Sequence, residues 1–194
     1  MAPLLERSVF LRTLNFLRVK HQFAAAYTYW YPAIATGCTI GLLFFLARSI
    51  DAYGPTGLIN QLSPFLAVFA PFFLAALAAI ATFSGPKFID ENFQMTSPVT
   101  LNFAGELGAV EPHDVTPRHF LSLLFGYCCV VSLALFLLSV LVPILAPNVA
   151  AMLGEYAEIF GWIFLSLYLF LFFQIVLLTL LGIYYLSDKV HRPN

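Results

Sequence analysis

Four long apolar stretches, none with an internal charge, constrain this chain more than any other feature of its 194 residues. They run approximately over residues 31–47, 62–83, 120–145 and 159–186. Because a helix that crosses a bilayer needs about 20 mostly apolar residues, each stretch is a candidate span. The charged fraction is 10%, against about 25% in soluble domains. The sequence therefore predicts an all-α fold, an integral membrane four-helix bundle in which residues 1–194 form one four-span domain.

The basic residues are distributed unevenly about these spans. If the chain changes sides at every span, eight of the nine Lys and Arg residues fall on one side. These eight are Arg7, Arg12, Arg18, Lys20, Lys87, Arg118, Lys189 and Arg192. Cytoplasmic loops hold an excess of Lys and Arg, so we expect an inner-membrane protein with both termini and the 84–119 loop in the cytoplasm. No uninterrupted apolar run precedes the first span, so we expect that span, rather than a cleavable signal peptide, to direct insertion.

Residues 3–20 predict a short amphipathic helix ahead of the first span. Its apolar residues can share one side of the helix: Leu5, Val9, Phe10, Leu14 and Leu17. A basic amphipathic segment beside a span is typical of a helix that lies on the membrane surface. Docking against a partner is the alternative. Aromatic clusters at residues 27–31 and 184–185 fit the inner interface, where amphipathic rings concentrate.

The 84–119 loop is the one sizeable segment between spans. Its Gly and Pro content argues against a long helix, and the alternation of Val99, Leu101 and Phe103 with polar residues allows a short strand or hairpin. A long loop in a compact protein is often functional or disordered. We therefore predict that this loop contacts a cytoplasmic protein partner through its carboxylates, Asp90, Glu91, Glu106, Glu111 and Asp114.

Two features of the spans predict helix packing. The first span carries Ala33, Gly37 and Gly41 at spacing four, and small residues let helices approach closely in lipid. This stripe favours packing within the chain, with packing between copies of the chain as the alternative. The fourth span holds Gln174, a strongly polar side chain near its middle. We expect Gln174 to bond to a Ser or Thr of another helix; a role in lining a pore or in oligomer register stays open.

The second span is rich in alanine, which predicts a helix buried among its neighbours, and Pro71 should kink it. Residues 48–61 and 146–158 are predicted to be short outer loops. Their acidic residues outnumber Arg48, which is compatible with a cation vestibule but also with ordinary solvated loops.

The spans contain no ionisable residue of the kind that transporters, proton relays and voltage sensors place inside the membrane. The best catalytic or metal-binding candidate is the 111–119 segment, with Glu111, His113, Asp114 and His119. Its spacing matches no specific site, so we predict no enzyme activity, no catalytic residue, no cofactor and no metal. We also expect no nucleic-acid binding, because the basic residues follow the topology rule.

The chain length, the four spans and the cytoplasmic loop between Phe83 and Phe120 resemble the small four-span membrane subunits of prokaryotic antiviral systems, such as the Kiwa membrane subunit. The resemblance implies an oligomer with a soluble effector partner that responds to membrane disturbance, and it assigns no residues. We also expect the chain to form a homo-oligomer. We therefore predict a multi-pass subunit of a larger assembly that recruits or signals to a cytoplasmic partner, in antiviral defence. An oligomeric channel or pore-forming effector is the alternative.

Overall fold

The computed structural model describes residue 16 and residues 26–46, 52–82, 100–104, 110–114 and 116–186. It contains four α-helices: α1 (Tyr31–Leu46), α2 (Leu58–Thr82), α3 (Pro117–Leu153) and α4 (Ala157–Tyr184). A π-helical turn at Ala26–Trp30 precedes α1, and a 3₁₀ turn at Gly154–Tyr156 joins α3 to α4. Each predicted apolar stretch coincides closely with one helix or lies inside it. The helical character of the predicted fold is therefore confirmed.

Helix α3 begins where the sequence places clear start signals. The side chain of Thr116 accepts a hydrogen bond from the backbone N–H of His119, and Pro117 occupies the first turn, both of which favour a helix start. The helix then continues for 37 residues, through Pro143 and Pro147, to Leu153. It ends at Gly154, whose φ of 54° is a conformation that glycine adopts readily.

The prediction of an outer loop over residues 146–158 is therefore wrong for most of that range. Each proline removes one backbone donor, but the neighbouring alanines are strong helix formers. The helix continues past both prolines, and only the short turn at Gly154–Tyr156 separates it from α4.

The helices form an antiparallel row. Helix α1 packs against α4, α4 against α3, and α3 against α2. Successive contacts give the direction of each pair. Across α3 and α4, Phe120 meets Tyr185 and Tyr127 meets Gln174. Across α2 and α3, Phe73 meets Phe125 and the carbonyl of Ala70 accepts from Cys129. Across α1 and α4, the carbonyl of Thr28 accepts from Gln174, and Phe44 meets Trp162. Among the described residues, α1 and α2 make no comparable interface. The predicted bundle is thus open between α1 and α2.

Aromatic and aliphatic side chains fill the interfaces of this row. Between α2 and α3, Leu66 and Phe73 are fully buried, and the ring of Phe73 lies 6.0 Å from that of Phe125. Near the N-terminal end of α4, the hydroxyl of Tyr53 donates to the carbonyl of Gly161. Burial raises the pKa of Tyr53 to about 12, so this hydroxyl remains a donor at neutral pH.

Two helical segments of the described chain are long and apolar enough to cross a membrane: Leu58–Thr82 and the continuous segment Arg118–Tyr184. The second has 67 residues. At about 1.5 Å per residue, its length is about three times the thickness of the hydrocarbon core. Since α3 and α4 pack against each other, this segment folds back at Gly154–Tyr156.

The 84–119 loop contains an antiparallel hairpin of β1 (Thr100–Ala104) and β2 (Val110–Asp114). Its register pairs Thr100 with Asp114 and Ala104 with Val110. The hairpin that the alternating residues allowed is therefore present in the structure.

Candidate functional site

Six polar side chains are buried in the described part of the chain: Thr28, Thr36, Ser132, Ser139, Gln174 and Thr179. Three of the hydroxyls bond to carbonyls of their own helix. Ser132 donates to Cys128 at 2.6 Å, Ser139 to Phe136 at 2.7 Å and Thr179 to Ile175 at 2.7 Å. Such local bonds satisfy the hydroxyl without linking helices. Gln174 differs, because its amide bonds to two other elements.

Gln174 lies on α4, is 2% exposed, and connects α3 to the turn before α1. The hydroxyl of Tyr127 donates to Gln174 Oε1 at 2.6 Å. Gln174 Nε2 in turn donates to the backbone carbonyl of Thr28 at 2.8 Å. We call Thr28, Tyr127 and Gln174 the polar bridge. Both ends of the amide are paired, so Gln174 acts here as a link between three segments of the chain.

The sequence explains why the Thr28 carbonyl is available to Gln174. In an α-helix this carbonyl would accept from the N–H four residues later, which is position 32. Position 32 is Pro32, which has no N–H. The chain here forms a π-helical turn at Ala26–Trp30, and the side chain of Gln174 supplies a donor to the Thr28 carbonyl.

The polar bridge lies beneath an aromatic cluster. Phe16 is 3% exposed. Its ring stacks on that of Tyr127 with centroids 5.5 Å apart, and lies 6.0 Å from the ring of Phe120. Phe120 in turn meets Tyr185 at 5.5 Å. These rings bring residue 16, the start of α3 and the end of α4 together at one end of the row.

A glycine allows α3 and α4 to approach closely near this cluster. A Cβ at Gly182 would lie 2.8 Å from Phe125 Cζ and 3.3 Å from Leu124 Cδ2. Both neighbouring side chains are fully buried, so neither has space into which to move. Any larger residue at position 182 would push the two helices apart.

Two buried hydroxyls in the described residues have no hydrogen-bond partner, those of Thr36 on α1 and Tyr168 on α4. Ser139 of α3 lies beside the Tyr168 hydroxyl, but the two groups do not form a well-aligned bond. An unpaired buried hydroxyl is destabilising. These two positions therefore contrast with the fully paired Tyr127.

In the part of the chain that the structure describes, nothing packs closely against the predicted small-residue stripe. Ala33 and Gly37 are exposed and Gly41 is half-buried. A Cβ at either glycine would meet nothing within 4 Å. The described residues therefore do not show the close packing within the chain that the stripe was expected to favour. Packing between copies of the chain is the other interpretation.

The alanine-rich α2 is also more exposed than the sequence predicts. Ala67, Ala75 and Ala78 all lie on its exposed side. The physical reason is the open row: among the described helices α2 packs mainly against α3, which covers one side of it.

The predicted partner-contact residues are only partly within the described structure. Asp90, Glu91 and Glu106 lie outside the described residues. Glu111 and Asp114 are on β2, paired in register with Phe103 and Thr100. Among the residues that the structure describes, no group of His, Cys, Asp and Glu side chains could hold a metal ion.

Gln174 was expected to bond to a Ser or Thr side chain of another helix, and that prediction is wrong: its partners are the Tyr127 hydroxyl and the backbone carbonyl of Thr28. Nothing in the spacing of Tyr127 along the sequence indicates that its hydroxyl bonds to Gln174. Pro32 was a usable signal, because a proline at a helix start leaves the carbonyl four residues earlier without its donor. Phe16 carried no signal, since it is outside the apolar set of the predicted amphipathic helix.

Comparisons of this chain with protein-family models, with curated proteins and with solved structures give no match.

Proposed function

We propose that this chain is a multi-pass membrane subunit of a larger homo-oligomeric assembly that binds a cytoplasmic protein. The observation that carries the proposal is the polarity of the helices. Their exposed side chains include large apolar groups such as Phe45 at 83% and Met152 at 88% exposure, whereas Gln174 and Ser132 are buried. A soluble protein rarely exposes apolar surface of this extent, but a bilayer favours it.

The proposed topology has α1, α2, α3 and α4 each crossing the bilayer. At about 1.5 Å per residue, the 25 residues of α2 extend about 37 Å, enough for a hydrocarbon core of about 30 Å. The longer α3 and α4 would tilt or protrude. The start of α3 and the end of α4 share one end of the row. With the distribution of Lys and Arg, this supports cytoplasmic termini and a cytoplasmic 84–119 loop in an inner membrane.

The open side of the row supports assembly with further copies of the chain. Within the described ranges, its two edge helices, α1 and α2, share no interface comparable to those of the other pairs. Both carry small residues at exposed positions, including Gly37 and Ala67. Small residues on exposed helix faces favour helix association in lipid, because they allow close van der Waals contact. We propose that a second copy covers these faces.

The 84–119 loop is the proposed site of partner contact. It holds five carboxylates, and its hairpin gives part of the loop a defined backbone. The proposed partner is therefore a cytoplasmic protein with a basic contact surface.

Crosslinking in intact membranes tests this assignment. A variant in which Asp90, Glu91, Glu106, Glu111 and Asp114 are changed to Asn or Gln should insert normally and lose the crosslinked partner. The matched control changes Glu155 and Glu158 to Gln, because both acids lie on the other side of the proposed topology. If mass spectrometry finds the same partner with both variants, the loop assignment is wrong. Deletion of residues 88–116 gives the same comparison without the hairpin.

The channel alternative has less support. Gln174, the polar group that would line a pore, is buried and bonded at both ends. Pro71 is exposed on α2 and is the remaining candidate near a pathway. Ion flux through liposomes that contain only the purified chain would favour the channel over the scaffold.

The antiviral role belongs to the proposal through the resemblance to small four-span defence subunits. Its test is the plating efficiency of bacteriophages on cells with and without the chain and its neighbouring genes. Equal plating across a broad phage panel would remove the antiviral part and leave the membrane-subunit proposal intact.

A further inference from the structure

Two well-separated positions of the N-terminal segment are held by the same pair of side chains. Phe16 and Thr28 are 12 residues apart, and both are buried. The ring of Phe16 stacks on Tyr127, and the carbonyl of Thr28 accepts from Gln174. Tyr127 and Gln174 are themselves joined by a hydrogen bond of 2.6 Å. The contacts thus form a continuous path from residue 16 to the start of α1.

Each step in this path restricts the next. The phenol of Tyr127 is a rigid unit, so the ring face that contacts Phe16 and the hydroxyl that contacts Gln174 move together. The amide of Gln174 is planar, so a rotation that breaks its bond to Tyr127 also displaces Nε2 from the Thr28 carbonyl. A change at either end of the path therefore disturbs the geometry at the other.

We propose that Phe16, Tyr127, Gln174 and Thr28 form a strap that couples the burial of Phe16 to the packing of α1 against α4. The strap makes the attachment of residue 16 sensitive to the contact that α4 makes with the turn before α1. By thermodynamic linkage the dependence is reciprocal. This coupling is independent of any protein partner and of oligomer formation.

Limited proteolysis of the full chain in lipid nanodiscs tests the forward direction. Arg18 and Lys20 lie between Phe16 and Thr28 in the sequence. Faster trypsin cleavage at these two residues therefore reports release of Phe16 from Tyr127. Gln174→Met removes both amide bonds at nearly constant volume. Loss of a contact worth about 1 kcal/mol corresponds to about a fivefold increase in the population of molecules in which Phe16 has left Tyr127. When opening is fast relative to cleavage, the cleavage rate follows that population.

We therefore expect cleavage at Arg18 and Lys20 to accelerate about fivefold in Gln174→Met. The matched control is Thr179→Val on the same helix, because its hydroxyl bonds only to Ile175 within α4. It should cleave at the wild-type rate. Tyr127→Phe keeps the ring beneath Phe16 but removes its bond to Gln174, and should give an intermediate increase.

Two results would overturn the strap. Wild-type cleavage in Gln174→Met, with its thermal midpoint lowered, would show that residue 16 is held independently of Gln174. Equal acceleration at Arg48 and Lys87 would show general unfolding instead of release of the N-terminal segment. The proposal requires acceleration confined to Arg18 and Lys20.

Hydrogen exchange tests the reciprocal direction. Phe16→Leu should speed amide exchange in peptides that cover residues 26–35, because loss of the stacked ring loosens Tyr127 and so Gln174. Phe44→Leu is the control, since Phe44 meets Trp162 near the other end of α1. Unchanged exchange in Phe16→Leu, or the same change in both variants, would contradict the coupling.

Discussion

Gly182 and Gly37 occupy apolar helices and have opposite surroundings. At Gly182, α3 approaches so closely that an added Cβ would lie 2.8 Å from Phe125. At Gly37, an added Cβ would meet nothing within 4 Å. The comparison shows that a small residue permits close packing but does not specify the partner. The α3–α4 interface is formed within the chain, whereas no described segment covers the outer face of α1.

The α3–α4 interface and the outer face of α1 also differ in their polar contacts. Next to the α3–α4 interface, the polar bridge pairs both ends of Gln174. The outward face of α1 carries Ala33, Gly37 and other apolar residues, so van der Waals packing alone would hold a neighbouring helix there. We expect the first region to determine the stability of the subunit and the second to determine its assembly.

The largest predicted effect comes from making the same substitution at both glycines. Gly182→Leu should lower the free energy of unfolding by about 3 kcal/mol, because overpacking of a filled core typically has this effect. Gly37→Leu should not lower the stability of the monomer, since its position is open and Leu is a better helix former than Gly. Unfolding in detergent, followed by circular dichroism, measures both. Equal destabilisation by the two variants would contradict the contrast between closed and open regions.

Gln174→Leu should lower stability by about 2 kcal/mol. It leaves the Tyr127 hydroxyl and the Thr28 carbonyl without their partner, and an unpaired buried group is destabilising by about 1–3 kcal/mol. Hydrogen bonds between membrane helices average about 0.6 kcal/mol and reach about 1.7 kcal/mol, so the estimate for two bonds lies between their average and their maximum. Thermal unfolding checks it, and Thr179→Val should be nearly neutral by comparison. A gain in stability on removing the amide would show that the bridge is strained.

Gly37→Leu should weaken self-association at least tenfold, equivalent to about 1.4 kcal/mol, because a Leu side chain prevents close helix approach. Analytical ultracentrifugation in density-matched detergent measures this change. Leu42→Ala serves as a control at another exposed position of α1. An unaltered oligomer in Gly37→Leu would exclude this face of α1 from the interface and leave the α2 edge to be tested.

Hydropathy and charge predicted the positions of the helices well, because long apolar segments depend on local composition. The ends were less predictable. Proline usually ends helices in soluble proteins, but α3 continues through Pro143 and Pro147 to Leu153. A helix tolerates the loss of a single backbone donor when the residues around it are strong helix formers.

The partners of Gln174 could not be predicted from periodicity. A buried amide requires hydrogen-bond partners, which made Gln174 recognisable in the sequence. Its partners depend on the register of α3 against α4 and on the turn before α1, and both are set by packing contacts such as that at Gly182. The open side between α1 and α2 had no sequence signal for a similar reason, since alanines suit both intramolecular and intermolecular interfaces.

The smallest predicted effect compares two buried tyrosines, whose replacement by Phe should change the stability in opposite directions. Tyr127 and Tyr168 are both almost fully buried, at 3% and 2% exposure. The first hydroxyl is bonded to Gln174 and the second has no partner. Tyr127→Phe should lower stability by about 1 kcal/mol, because Gln174 Oε1 loses its donor.

Tyr168→Phe should raise stability by about 0.5 kcal/mol, because it removes a buried hydroxyl that has no partner. Chemical unfolding of the two variants side by side resolves the opposite signs. If Tyr168→Phe instead lowers stability as much as Tyr127→Phe, its hydroxyl is paired in solution, and Ser139 is the neighbouring group to change next. Ser139→Ala would then reproduce the loss, since the same bond would be removed from the other side.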